Sequence, residues 1–249
     1  MTSQNIEQWF ESSLGKYLLD NELRYFNMVV ADIFGYNAVQ IGLPNVNFLR
    51  ANRMPLHFCA GIEKAAAILA KPDFLPLKTC SMDLVILPHV LEFNENPHQI
   101  LREIHRILVP EGHVVISGFN PISLWGVHQF FDQRKQEFPW CGNFIALPRL
   151  KDWLKLLNFE MAGGRLSCYT PPFEQHKWRE RFSFMEAAGD RWWPISGGVY
   201  YLHAIKHVHG MRLIKPRWKY SLAGKKRIAP VPHRKNYASI IEIKNNQLI

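Results

Sequence analysis

The passage from Asp83 to Ser117 constrains this chain more than any other. "DLVIL" (83–87) is a short, continuously apolar run, the pattern of a parallel strand covered on both faces. Asn96 stands where a helix cap belongs, with Pro97 at the first helical position and Gln99 three residues after the cap. Ile100, Leu101, Ile104, Ile107 and Leu108 then form one apolar stripe. "PEG" (110–112) stops the helix, and "HVVIS" (113–117) is the next strand. Strand, helix and strand in this order require a right-handed crossover, so both strands lie in one parallel sheet.

The flanking segments extend this pattern. From Ile6 to about Ile33, Phe10, Leu14, Tyr17, Leu18, Leu23, Phe26, Val29, Val30 and Ile33 recur at mostly three- and four-residue steps. That spacing predicts an amphipathic helical hairpin or a bent helix. Strands are expected at 38–42 and 56–60, and 65–70 is apolar but ambiguous between strand and helix. A helix over 147–158 precedes a last strand, 199–208. With 249 residues and 47% hydrophobic content, the chain can bury a core as one α/β domain with appendages.

The net charge of +9 is local. Residues 1–210 hold 20 Lys+Arg and 20 Asp+Glu, whereas 211–249 hold ten Lys+Arg and Glu242 alone. A helical segment (1–35), a neutral body (36–210) and a basic tail (211–249) are therefore expected. Prolines and basic residues at 211–235 suggest loop or partial disorder. Such a tail suits weak contact with nucleic acid or an anionic surface, or it is a solvated tail without a partner.

No apolar run suggests a transmembrane segment, and "MTSQNIEQWFESS" lacks the pattern of a secretory signal. A cytoplasmic protein is the expectation. Cys59, Cys80, Cys141 and Cys168 have no C-x-x-C spacing, so reduced thiols are expected and a zinc site is not. His203, His207 and His209 would share one strand face, a weak metal pattern against an ordinary polar face; no metal site is assigned.

"SMDLVILPHVLEFNENPHQILREIHRILVPEGHVVISGFNP" resembles the central signature of class I S-adenosylmethionine-dependent methyltransferases. In that family an Asp opens the fourth strand and a His-Val-Leu-like segment follows it. A helix with Leu-Arg-Glu then leads through a Pro-Gly-type turn to the fifth strand. "FLPL" (74–77) and "LKLLNFEM" match further elements, and the resemblance spans roughly 37–208. The N-terminal helices, "FGYNAVQIG" and "SGFNPISLWG" also resemble a bacterial subgroup of uncharacterised methyltransferase-like proteins. The resemblance implies a doubly wound, mostly parallel seven-stranded α/β sheet, Rossmann-like, with the last strand antiparallel.

It also implies S-adenosylmethionine as cofactor and positions for its site. Gln40 stands where the family's first strand ends in an acidic residue, and Gly42 is the first glycine of its loop. Pro44 and Val46 occupy later glycine positions. No acidic residue ends the second strand at Ala60–Gly61, although Glu63 lies slightly beyond. Lys71 stands at the family's adenine-contacting Asp, with Asp73 two residues later. Leu43, Leu87 and His89 complete the expected cofactor-binding set.

Methyl transfer from a sulfonium is an in-line displacement that positioning can accelerate without a protein nucleophile. His89 is the first candidate for a general base or acceptor contact, its bland alternative being a hydrogen-bonded structural histidine. Asn120, beyond the fifth strand, could orient an acceptor or make a turn before Pro121. Glu92 is a further carboxylate, more simply read as solvated, and Asp83 reads as structural. Tyr169, Phe173, Trp178, Phe182, Phe184, Trp192 and Trp193 could cap a substrate or cover the sheet, covering being the simpler reading. Two functions follow: methyl transfer to an unidentified acceptor, or a non-catalytic binding or regulatory module on the same fold.

Overall fold

The computed structural model describes residues 9–131, 138–172, 184–193 and 195–208. They belong to a body, Met1–His209; the second unit, Gly210–Ile249, lies outside the described residues, and with it the expected basic tail and His209.

Apolar runs bounded by turns form the strands β1 (Asn37–Ile41), β2 (Leu56–Gly61), β3 (Ile68–Leu69) and β4 (Met82–Pro88). They continue with β5 (Leu108–Phe119), β6 (Phe159–Ser167) and β7 (Val199–Lys206). The seven make one sheet in the order β3-β2-β1-β4-β5-β7-β6. The first five are parallel, β7 runs antiparallel to β5, and β6 antiparallel to β7. Val85 pairs with Val114 and Leu87 with Ile116, so the expected adjacency of the 83–87 and 113–117 strands holds. The stretch 65–70 resolves into the two-residue strand β3.

The helices are α1 (Ser13–Ala31), α2 (Pro97–Ile107), α3 (Leu124–Phe131), α4 (Leu147–Leu156) and α5 (Phe184–Trp192). Within the described residues the N-terminal pattern is interrupted. A helical turn at 9–11 breaks at Ser12, whose hydroxyl accepts from Gly15 N (3.0 Å) and caps α1. Leu14, Leu18, Phe26 and Val30 of α1 share a core with Leu84, Ile86, Val115 and Tyr201 of the sheet. Ile100, Leu101, Ile104 and Ile107 of α2 and Leu150 and Leu154 of α4 share the other core, with Val39, Val85, Leu87 and Ile116. Alternate residues of each strand thus feed two cores, the geometry of a doubly wound sheet.

Three local expectations are corrected. Asn96 takes the N-cap position, but its side chain makes no capping bond; its carbonyl accepts from Gln99 N (3.1 Å) instead. "PEG" does not separate helix from strand, because β5 starts at Leu108 and carries the turn as an irregularity, with Glu111 at φ 61°. The late aromatics do not all cover the sheet: Tyr169 is buried, whereas Phe184, Trp192 and Trp193 are exposed. Phe173, Trp178 and Phe182 lie outside the described residues.

Long-range polar contacts lock the layers. Asp83 accepts from Tyr36 N and Asn37 N (both 2.9 Å), the structural role expected of it. Buried Lys206 of β7 donates to the carbonyls of His105 (2.7 Å) and Leu108 (2.8 Å), satisfying the C-terminal end of α2. Glu103 accepts from Leu75 N (2.9 Å), which holds the "FLPL" segment on α2. Among the described residues no helix is long and apolar enough to cross a membrane.

Candidate cofactor site

Parallel strands deliver their C-terminal loops to one sheet edge, where open α/β folds bind ligands. Here a cavity of about 210 Å³ opens at that edge. Gly42, Leu43 and Pro44 line it after β1, and Gly61, Ile62 and Glu63 at the end of β2 and just past it. Pro72 comes from the next loop, while Pro88, His89 and Val90 come from the end of β4 and the residues after it.

The loop after β1 is shaped by backbone conformation and by Gln40. Gly42 (φ 81°) and Leu43 (φ 48°) are both left-handed, a cheap conformation for glycine and a costly one for leucine. A Cβ on Gly42 would lie 3.1 Å from a methyl of Val90, so glycine keeps the cradle open. The Gln40 amide nitrogen donates to the carbonyls of Gly42 (3.0 Å), Leu43 (2.9 Å) and Val46 (2.8 Å). Its oxygen accepts from Phe48 N (3.1 Å). Two N–H groups shared among three carbonyls use up the amide, and Gln40 is buried. It builds the loop from beneath.

His89, just past β4, also has a left-handed backbone (φ 50°), and its ring stacks on Phe119 with centroids 4.1 Å apart. Nε2 lies 2.8 Å from Glu22 of α1, and Nδ1 lies 3.3 Å from Glu92. All three side chains are at most 1% exposed. These separations fall within ion-pair range, yet the ring nitrogens are not aligned as hydrogen bonds to those oxygens. The proximity of charge therefore dominates over directed bonding. Burial pushes the His89 pKa down, but the two carboxylates reverse this and raise it to about 10. His89 is an imidazolium at neutral pH.

Glu92 is anchored as well, since it accepts a short hydrogen bond from Phe119 N at the end of β5. It is buried, which corrects the expectation of a solvated carboxylate.

The expected site residues thus divide. Gly42, Leu43 and His89 come together on the cavity wall. Gln40 lies beneath it, and Leu87 is buried in the core shared with α2. Lys71 and Asp73 do not line the cavity; Lys71 forms a bridge to Phe74 around Pro72, which does. Asn120 is buried away from the wall, donating to the carbonyls of Ile195 (2.8 Å) and Gly197 (3.0 Å) and accepting from Ile122 N (3.0 Å). Its amide ties the end of β5 to the approach to β7.

Sequence reasoning missed Glu22. A signal was present: Glu22 occupies the buried stripe of α1, four residues after Leu18 and four before Phe26. A carboxylate on an apolar stripe calls for a buried partner.

Of the histidines near the last strand, the described pair His203 and His207 have separate partners. His203 meets His113 (2.9 Å between ring nitrogens), and burial followed by His113 pushes its pKa down to about 4. His207 lies between Glu111 (2.8 Å) and Glu160 (2.7 Å). Among the described residues no cluster suited to a metal ion occurs, and the four cysteines are free thiols.

Residues 48–116 match the family model described as "Methyltransferase domain". Over 94 residues the chain is 40% identical to the uncharacterized protein YafS of Escherichia coli K12. That match covers 38% of this chain and 39% of the relative, so the chain spans less than half the length of that curated relative. A SAM-dependent methyltransferase of Thermotoga maritima, described as a possible histamine N-methyltransferase, superposes with a TM-score of 0.60 at 17% identity. The superposition covers 82% of this chain and 96% of the other. The [4+2]-cyclase SpnF superposes with a TM-score of 0.52 at 16% identity, over 76% of this chain and 81% of its own. At such identities these two likenesses concern the fold.

Proposed function

The chain belongs to the class I S-adenosylmethionine-dependent methyltransferase family, and on that premise we propose that it binds S-adenosylmethionine in the β1–β2–β4 cavity and methylates a separate acceptor. The observation that carries this reading is the cavity itself. It lies at the carboxyl edge of the parallel strands, with the one glycine that the loop after β1 retains, Gly42, at its wall.

The residues fit the cofactor through a reduced set of contacts. The β1 loop around Gly42 and Leu43 would hold the methionine part, and Glu63 would supply the carboxylate that β2 itself lacks for the ribose hydroxyls. Ile62, Pro72 and Val90 would pack on the flat parts of the ligand. When bound, the cofactor supplies a methyl on a sulfonium, whose transfer leaves a neutral thioether. The wall would align the bound donor with its acceptor. His89 holds its proton between two carboxylates, so it does not take one from the acceptor; an acidic acceptor would lose its proton to solvent or to another group.

A second reading, a binding or regulatory module without transfer, is favoured by the full internal use of Gln40. Where relatives present an acidic residue, this chain offers an amide already spent on its own loop.

Calorimetry with S-adenosylmethionine separates the two. One-to-one binding is expected, weaker than in relatives with a complete glycine loop. Gly42→Val should abolish it, because the new side chain meets Val90 and strains a left-handed backbone. Absence of binding at millimolar cofactor rejects the enzyme and leaves the module. In the same spirit, we assign 1–35 to a helical segment, 36–210 to the methyltransferase-like domain and 211–249 to a basic tail, of which 211–235 would make weak contact with an anionic surface.

A further inference from the structure

We propose that Glu22, in the middle of α1, is a positioning residue of the cofactor site: it fixes the His89 ring and, through it, the Pro88–Val90 wall of the cavity. This rests on the reading that the cavity takes S-adenosylmethionine.

Glu22 is fully buried beneath a helix that is otherwise apolar on that side, with Leu18, Tyr25 and Phe26 around it. A carboxylate is expensive there unless a charge meets it. The charge is His89, which belongs to the cavity wall. Besides its stack on Phe119, His89 has three polar holds. Its backbone N–H donates to Ser117 O (3.2 Å), Nδ1 faces Glu92, and Nε2 faces Glu22. The first two hold the wall to the end of β5, and only the third ties it to α1.

The wall needs this third hold because its backbone is strained. A left-handed histidine persists when its surroundings enforce it. With Glu22 neutralised, the ring has one charged side, and the segment can relax toward ordinary backbone angles. Relaxation would move Pro88 and Val90 against the Gly42 cradle, where a Val90 methyl already lies 3.1 Å from the Cβ position.

The groups facing the cluster are few. Glu22 comes from α1 and Glu92 from the loop after β4. The buried hydroxyls of Ser117 (β5) and Tyr201 (β7) also belong to the α1 side of the sheet and make no hydrogen bond among the described residues. The Cys168 thiol lies within the field of Glu22, and burial foremost raises its pKa. His89 is the cation of this set, and Glu22 is the charge that α1 sets against it.

The test compares wild type with Glu22→Gln, which keeps shape and removes charge. Circular dichroism establishes folding, and calorimetry at pH 7.5 gives the Kd for S-adenosylmethionine. The folded variant should bind roughly tenfold more weakly at unchanged stoichiometry. Glue without a positioning role would lower the melting temperature and leave Kd within twofold, which overturns the inference. Should the variant not fold, nitrogen NMR of the wild-type histidines decides. The His89 ring should remain protonated at pH 8.5 and its Nε2 resonance should move when cofactor is added. A neutral ring, or a resonance indifferent to cofactor, overturns the inference. Wild type that binds no cofactor rejects the underlying reading, and this inference with it.

Discussion

Replacing His89 with asparagine should destabilise the protein by roughly 3–5 kcal/mol, the usual cost of breaking a buried charge cluster by removing one partner. Asparagine tolerates the left-handed backbone at position 89, so the loss comes from charge rather than chain geometry. It leaves Glu22 and Glu92 buried without the positive charge that both now meet. Urea denaturation at pH 7.5 reads the change. Buried carboxyls without a cation take up protons, so lowering the pH should recover part of the lost stability in the variant.

Wild type should respond to pH in the same direction, over the window set by His89. The folded-state pKa of His89 is about 10, against 6.5 for the free side chain. The cluster therefore stabilises fully below about pH 6.5. Its contribution declines as pH rises and is lost above about pH 10. Within that window the slope should approach roughly 1 kcal/mol per pH unit, and His89→Asn should abolish it. Equal slopes in the two proteins would remove His89 as the titrating group.

The second large effect is expected at Gln40. Introducing at this position the acidic residue that the resemblance implies, with Gln40→Glu, should harm this protein by roughly 3–5 kcal/mol, from several buried groups left unpaired at about 1–3 kcal/mol each. Three carbonyls, of Gly42, Leu43 and Val46, now accept from the Gln40 amide at 2.8–3.0 Å. A carboxylate would place oxygen against oxygen at all three. Gln40→Met, uncharged and of similar length, should lose less, because it removes the donor without adding repulsion. If Gln40→Glu melts like wild type and binds S-adenosylmethionine more tightly, the loop can reverse its carbonyls and this account of it fails.

These expectations differ in how far the sequence foretold them. The β4–α2–β5 crossover was legible because its signals are local: an unbroken apolar run, a stripe at helical spacing, and a proline at the helix start. Each follows from the backbone period of one element, and the right-handed crossover rule does the rest. Gly42 was singled out through the family resemblance, and its left-handed backbone (φ 81°) suits the glycine found there. Boundaries were less secure. The turn at 110–112 fell within β5 because the strand's pairing with β4 resumes across it.

The roles of the polar residues were decided by tertiary structure. The sequence by itself determined a parallel α/β sheet, its neutral body and basic C-terminal region, and His89 as the residue to watch. It could not tell that His89 would be a clamped cation. That depends on Glu22, which is distant in the chain and meets His89 only because α1 packs across the sheet. It could not tell that Asn120 would tie backbone segments near β7, or that Gln40 would turn its donors toward its own loop. Periodicity records which face of an element is apolar, because burial repeats along the element. It carries no record of which buried polar groups meet, because that depends on where separate elements come to rest.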